Sequence, residues 1–226
     1  MIKNLIISPT GENTLVRNWT CDTQNFDIHL LYYSENEEGF DRLRNENFIV
    51  EKVKGEKWHI IKNYLNVNPQ LFEKYDNFWF PDDDLLIDGN KINSLFDIHK
   101  NYNLQLSQPA SIGHTSFQIT SPQNCKLRFT SFVEIMCPLM SKETLIKLIN
   151  TFDITESGWG LDILWPKLLG YPTDKIAIID SVTIEHTSPV GKNYGNRFSK
   201  SPMDELHDVM RKYSVGFVHK EYSKIF

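Results

Sequence analysis

The chain has 226 residues, 40% hydrophobic and 23% charged, with 11 Gly and 10 Pro. Those proportions suit a chain that folds around a core, and they exclude a disordered, collagen-like or small disulfide-scaffold protein. The formal charge of −5 argues against a broad duplex-binding surface, which needs many phosphate-neutralising cations, so no nucleic-acid partner is expected.

Cys21, Cys125 and Cys137 are odd in number and show no CxxC spacing; they read as free thiols of a reducing compartment. The opening MIKNLIISPTGENT holds only a short apolar run, and no later run reaches bilayer length. A cytoplasmic chain without a membrane span is the expectation.

Short apolar runs then alternate with helix-period segments, the pattern of a mixed α/β sheet. Lys3–Ser8 predicts a buried strand that ends in a turn at Ser8-Pro9-Thr10-Gly11. Phe26–Tyr33 is a second strand, followed by an acidic loop at Glu35–Glu38, and Phe48–Val53 a third. Trp58, Ile61 and Leu65 stand at helical spacing within Lys57–Leu65, which Asn68-Pro69 stops. Asn77–Phe80 is a short apolar strand running into Pro81-Asp82-Asp83-Asp84. Ile92, Leu95, Phe96 and His99 mark one face of a helix over Gly89–Tyr102. Leu104–Gln108 and Leu127–Met136 read as strands, and Ser141 caps a helix over Lys142–Thr151. Leu161–Leu169 reads as a helix interrupted by Pro166, Ile176–Ile179 and Val182–His186 as two strands parted by Asp180-Ser181, and Met203–Tyr213 as a last helix.

Three segments can carry chemistry. Asp82, Asp83 and Asp84 repel one another unless they are solvated or hold a cation. On an extended chain Asp82 and Asp84 point the same way, a seat for a divalent ion that also grips phosphate oxygens. The plain alternative is a solvated turn before the next helix. In Glu156-Ser157-Gly158-Trp159-Gly160-Leu161-Asp162, two glycines permit positive φ or let a ligand approach closely, Trp159 offers a flat face to a sugar ring, and Asp162 can serve as general base toward a hydroxyl. The alternative is a Gly-rich turn with Asp162 in a helix's first turn. His186 ends a strand, where imidazole can ligate a transition metal or be merely structural.

Smaller bets are Lys54, Lys57 and Arg17, which can meet phosphates or sit as surface charges. Arg128 and Glu134 share parity on one strand and so reach a cleft or pair with neighbours. The basic 192–200 stretch, with Gly191 and Gly195, is a solvated loop or a cover for a diphosphate.

In combination these segments resemble the set of the GT-A-fold, DxD-type glycosyltransferases, with a DxD, then a Trp-Gly-containing acidic segment, then a histidine. The segments FWFPDDDL, SQPA, RFTSFVEIMCP, SGWGLDILWPKLLG and HTSPVG, with the early SPTG, resemble more closely an uncharacterised glycosyltransferase-like family, from about residue 6 to about residue 195. Gly-Leu-Asp supplies one carboxylate where galactosyltransferases have more.

The resemblance implies an α/β, GT-A-like nucleotide-diphospho-sugar transferase fold, with a mixed, mostly parallel central sheet flanked by helices. It implies one domain over 1–226, with a nucleotide-sugar half to about 108, an acceptor and catalytic half over about 109–195, and a tail helix in 196–226. The activity implied is transfer of a sugar from a nucleotide-diphosphate donor, UDP-linked, to a glycan or other hydroxyl acceptor, with inversion. Asp162 would be the base. Thr10, Gly11, Lys57, Asp82 and Asp83 would serve the donor; Glu134, Trp159 and Gly160 would line the acceptor site. Asp84, Asp82 and His186 would ligate Mn2+, with Mg2+ able to substitute, since carboxylate with imidazole favours manganese over calcium. Two other expectations stand beside it: a catalytically silent nucleotide-sugar or glycan-binding module, and a metal-dependent phosphohydrolase using the same aspartates.

Overall fold

The computed structural model describes residues 2–46, 48–189 and 198–226. β1 (Asn4–Thr10) lies inside the sheet, and its Leu5, Ile6 and Ile7 are all fully buried. Such an unbroken apolar run is what a strand needs when both faces of its sheet are covered. Ile6 enters one core, and Leu5 and Ile7 enter the other. Parallel neighbours flank it: β2 (Phe26–Tyr32) on one side, with β3 (Ile49–Lys52) beyond, and β4 (Asn77–Trp79) on the other.

β5 (Leu85–Leu86), β6 (Leu106–Gly113), β7 (Leu127–Thr130), β8 (Leu139–Ser141), β9 (Ile176–His186) and β10 (Glu221–Ile225) complete a ten-stranded sheet of order β10-β7-β9-β6-β8-β4-β1-β2-β3, with β5 paired to β9. β5, β7 and β8 run against the other strands. The sheet is therefore mixed and mostly parallel in direction, and helices flank it, as the resemblance implies.

One face is covered by α1 (Glu37–Asn45) and α4 (Gly89–Asn101), through Leu43, Ile92, Leu95 and Phe96. The other face carries α2 (Lys57–Val67), α3 (Leu71–Lys74), α5 (Lys142–Leu148) and α6 (Leu161–Leu168), which contribute Trp58, Ile61, Leu71, Leu145 and Trp165. α7 (Pro202–Tyr213) packs Leu206 and Val209 against Ile163 and Leu164 of α6 in a third, smaller cluster. None of the helices is long and apolar enough to cross a membrane among the described residues.

Several expectations are corrected. The turn at 8–11 begins later, because Pro9 and Thr10 stay extended opposite Leu31 and Tyr32. The acidic loop is the start of α1: Asn36 caps it by accepting from Gly39 N at 3.1 Å, and Glu37 and Glu38 sit where the helix dipole favours anions. The strand expected over Leu127–Met136 stops at Thr130. Ile176–His186 is one strand, whose register against β6 shifts at Pro109/Ala110 rather than breaking. The 196–226 segment holds a strand as well as a helix, since β10 closes the sheet edge on β7. Its sequence, EYSKI, is mostly polar and gives no apolar run to read. Gly191, Lys192, Gly195 and Arg197 of the basic stretch lie outside the described residues. Lys200 pairs with Asp208 at 2.8 Å.

Candidate active site

In open α/β sheets ligands collect beyond the carboxyl ends of the parallel strands. β1 delivers Gly11 there, β4 delivers Asp82, Asp83 and Asp84, and β9 ends on His186. These residues line a cleft of about 490 Å³, together with Lys57, Glu134, Trp159, Gly160 and Asp162. All three segments singled out in the sequence thus face one cavity.

The two-residue strand β5 joins the first segment to the third. It pairs Leu85 with His186, so the preceding residue, Asp84, lies beside the imidazole. Asp84 Oδ2 is 3.3 Å from His186 Nε2, and the Asp84 carbonyl accepts from the Thr187 hydroxyl at 2.8 Å. His186 Nδ1 donates to the His114 carbonyl at 2.6 Å, which leaves Nε2 facing Asp84. Burial opposes both charges, yet the pair prevails. Hydrogen bonds from His186 and Ser188 hold Asp84 below the usual carboxylate range, and Asp84 with the His114 carbonyl raises His186. The other oxygen, Asp84 Oδ1, is buried with no hydrogen-bond partner among the described residues. An orphaned carboxylate oxygen next to an oriented imidazole is a donor set that suits a divalent transition ion.

Asp82 does not complete a triad. Its Oδ1 accepts from Lys57 Nζ at 2.6 Å, and among the described residues no three His, Cys, Asp or Glu side chains gather closely enough to hold an ion. Lys57, expected beside the donor, lines the cleft and is already engaged within the protein. Its ammonium reaches the carbonyls of Ile135 and Met136 at 3.0 and 2.8 Å as well as Asp82. Three donors therefore meet three acceptors, and Lys57 serves as a pin. Asp83 turns toward β1 and accepts from Gly11 N at 2.7 Å. Thr10, expected at the donor, is fully buried and donates to the Ser8 carbonyl at 3.0 Å, away from the cleft. Lys54 pairs with Glu35 and Arg17 with Glu46, both on the surface outside the cleft.

The positive φ expected of the glycines holds. Gly158 and Gly160 have φ of +81° and +94°; a Cβ on the first would lie 2.5 Å from Trp58 Cδ1, and one on the second 2.9 Å from Val209 Cβ. Between them, half-buried Trp159 lines the cleft. Asp162 stands in the first turn of α6, where its Oδ1 accepts from Ile163 N at 2.9 Å. Burial still dominates, lifting its carboxyl to about 7 against the backbone N–H groups of Ile163, Asp162 and Gly160.

Arg128 and Glu134 part company because β7 ends between them. Arg128 is locked to Asp180 at 3.0 Å, with both side chains buried. Glu134 sits on the 131–136 loop facing the cleft.

Some contributors gave no signal in the sequence. Glu205 of α7 accepts from Glu156 N at 2.7 Å and Ser157 N at 2.9 Å, fastening the loop that carries Trp159. Gln108 accepts from Glu134 N at 2.6 Å. Phe117, Phe198 and Phe217 add an aromatic wall near Trp159. A glutamine within a strand, or an acid on a far helix, looks like any other until the fold is closed.

The fold is that of the GT-A glycosyltransferases. Superposition on glucosyl-3-phosphoglycerate synthase from Mycobacterium tuberculosis, solved with Mn2+, UDP and glucosyl-3-phosphoglycerate, gives a TM-score of 0.61 at 12% identity, over 99% of this chain and 88% of that one. GalNAc-T7, solved with UDP, GalNAc and Mn2+, gives 0.65 at 10% identity, over 94% and 48%. TarS of S. aureus gives 0.59 at 14% identity, over 93% and 38%. The chain thus spans well under half of TarS and about half of GalNAc-T7.

In sequence, the family described as "Protein of unknown function (DUF707)" matches residues 12–127, just over half of the chain, and the chain belongs to that family. The matched stretch includes Asp82–Asp84 and stops short of Glu134, Asp162 and His186. No curated protein matches the sequence.

Proposed function

We propose that this chain is a metal-assisted glycosyltransferase that moves a sugar from a UDP-linked donor to a hydroxyl of a glycan or similar acceptor, with inversion at the anomeric carbon. The observation that carries this reading is the shared cleft. A carboxylate–imidazole pair with an orphaned oxygen stands on one side of it, and a buried acid of raised pKa stands on the other.

In this reading residues up to about 108 serve the donor, with Gly11 and Asp83 beside the nucleotide, and 109–195 serve the acceptor. Asp84 and His186 would hold Mn2+ or Mg2+. When bound, such an ion neutralises the departing diphosphate, so that no proton need be delivered to it. Asp162 accepts the acceptor hydroxyl's proton as that oxygen attacks C1 from the face opposite the leaving group. Trp159 presents its ring to the acceptor, and Gly160 keeps that wall close to α7. The three free cysteines fit a cytoplasmic setting.

Isothermal titration calorimetry with UDP and a panel of UDP-sugars tests the reading. Binding is expected with Mn2+, and it should be lost without the metal and in Asp84→Ala. Absence of binding under every metal condition would overturn it.

A further inference from the structure

Glu134 is the cleft's other buried acid, and its surroundings differ from those of Asp162. Its loop is fixed from several sides: Gln108 Oε1 takes the Glu134 N–H, Lys57 takes the Ile135 and Met136 carbonyls, and Asp82 N donates to Met136 O at 3.0 Å. The residue is 7% exposed, and its Oε2 has no hydrogen-bond partner among the described residues.

A buried carboxylate needs a cation or several donors. The groups that bear electrostatically on Glu134 are Asp162 of α6, His186 of β9, Asp82 beyond β4 and Lys57 of α2; Cys137, in its own segment, is fully buried. Lys57 has its three protons matched to other acceptors, and His186 is committed to Asp84. The remaining neighbours are acidic. Asp162, by contrast, has a helix N-terminus to stabilise its charge. Burial lifts both carboxyls to about 7, so the helix N-terminus at Asp162 is the asymmetry that favours a shared proton on Glu134.

We propose that Glu134 is a second catalytic group of the cleft and works as a neutral acid, its carboxyl donating a hydrogen bond to the acceptor and turning the attacking hydroxyl toward Asp162. This deepens the transferase reading and rests on it. The acceptor O–H proton passes to Asp162, the new O–C1 bond forms, the C1–O bond to the diphosphate breaks, and its electron pair leaves with the diphosphate; Glu134 keeps its proton throughout. The direction of its titration agrees, since burial first, and then the charge of Asp162, lift its carboxyl to about 7.

The test is a comparison of Glu134→Gln, Glu134→Ala and Asp162→Asn in UDP-sugar turnover across pH. Glutamine is neutral and isosteric and still donates. Glu134→Gln is expected to lose less activity than Glu134→Ala at neutral pH and to lose the alkaline decline that deprotonation of Glu134 imposes. Glu134→Ala should raise the acceptor KM by about tenfold or more. A Glu134→Gln loss as deep as that of Asp162→Asn would overturn the proposal, because Glu134 would then be acting as a base.

Carbon-13 NMR of the glutamate carboxyls gives an answer that needs no turnover. A resonance titrating near neutrality should vanish in Glu134→Gln, whereas a Glu134 titration in the ordinary carboxylate range would sink the neutral-acid assignment. Wild-type protein that turns over no UDP-sugar, with the neutral Glu134 signal present, would instead strike at the transferase reading itself and remove Glu134's role toward an acceptor.

Discussion

Two sets of groups in the cleft follow opposite rules. On the wall formed by the parallel strands, polar groups have partners: Lys57 meets Asp82 and two carbonyls, and Asp83 accepts from the Gly11 amide, although burial still raises both carboxyls. Asp84 of the same segment, Glu134 and Asp162 follow the other rule: Asp84 Oδ1 and Glu134 Oε2 have no partner among the described residues, and Asp162 is held at a raised pKa by burial. An unsatisfied buried polar atom costs stability, so one that persists in a cleft is a place to look for a ligand. The first set acts as scaffold, and the second is where substrate should complete the bonding.

Changes in the unsatisfied set should damage chemistry more than folding. Asp162→Asn is expected to cut the transfer rate by about 100-fold or more while leaving donor affinity near wild type, since it removes the general base alone. A rate equal to wild type in single-turnover assays would reassign the base. A change in the partnered set should do the reverse. Lys57→Met leaves Asp82 and the Ile135 and Met136 carbonyls without their donor, and should lower unfolding free energy by about 2 kcal/mol in denaturant titration. If Lys57→Met keeps full stability but loses donor affinity, the lysine contacts phosphate and the contrast between the sets fails.

The smallest effect is one of pH. A carboxyl whose folded pKa is raised stabilises the fold below its unfolded pKa, and that stability is lost as pH climbs through the folded value. For Glu134 the window runs from about 4.5 to about 7. Glu134→Gln should therefore raise Tm by a few degrees at pH 8 and by progressively less toward pH 5. A pH-independent difference, followed by calorimetry, would show that burial of the Glu134 charge is not the cause.

Much of this arrangement was legible in the residues. The apolar runs of β1, β2 and β4 announce buried parallel strands, and Asp82–Asp84 directly after one of them implies a strand-end site. Gly158 and Gly160 were readable because positive φ and close packing leave little choice of residue. The pairing logic was not readable. Alternation suggested that Asp82 and Asp84 would share one ion, but whether Asp82 met a metal or Lys57 depended on where α2 begins in space. The contact between Asp84 and His186 depends on β5, a two-residue strand too short to leave a periodic trace. Thr10 looked available beside Gly11, but β1 runs two residues further than the Pro-Gly signal suggested and buries it. Glu134 was picked out by strand parity with Arg128, an argument the end of β7 at Thr130 invalidates, although the residue does reach the cleft.

The most direct test is release of UDP from UDP-sugars by the wild-type chain with Mn2+ and a hydroxyl acceptor. The account predicts metal-dependent release, absent in Asp84→Ala and about 100-fold slower in Asp162→Asn. Tight binding of UDP-sugars with no release under any acceptor would contradict it and leave a binding module, and hydrolysis of simple phosphate esters would leave a phosphohydrolase.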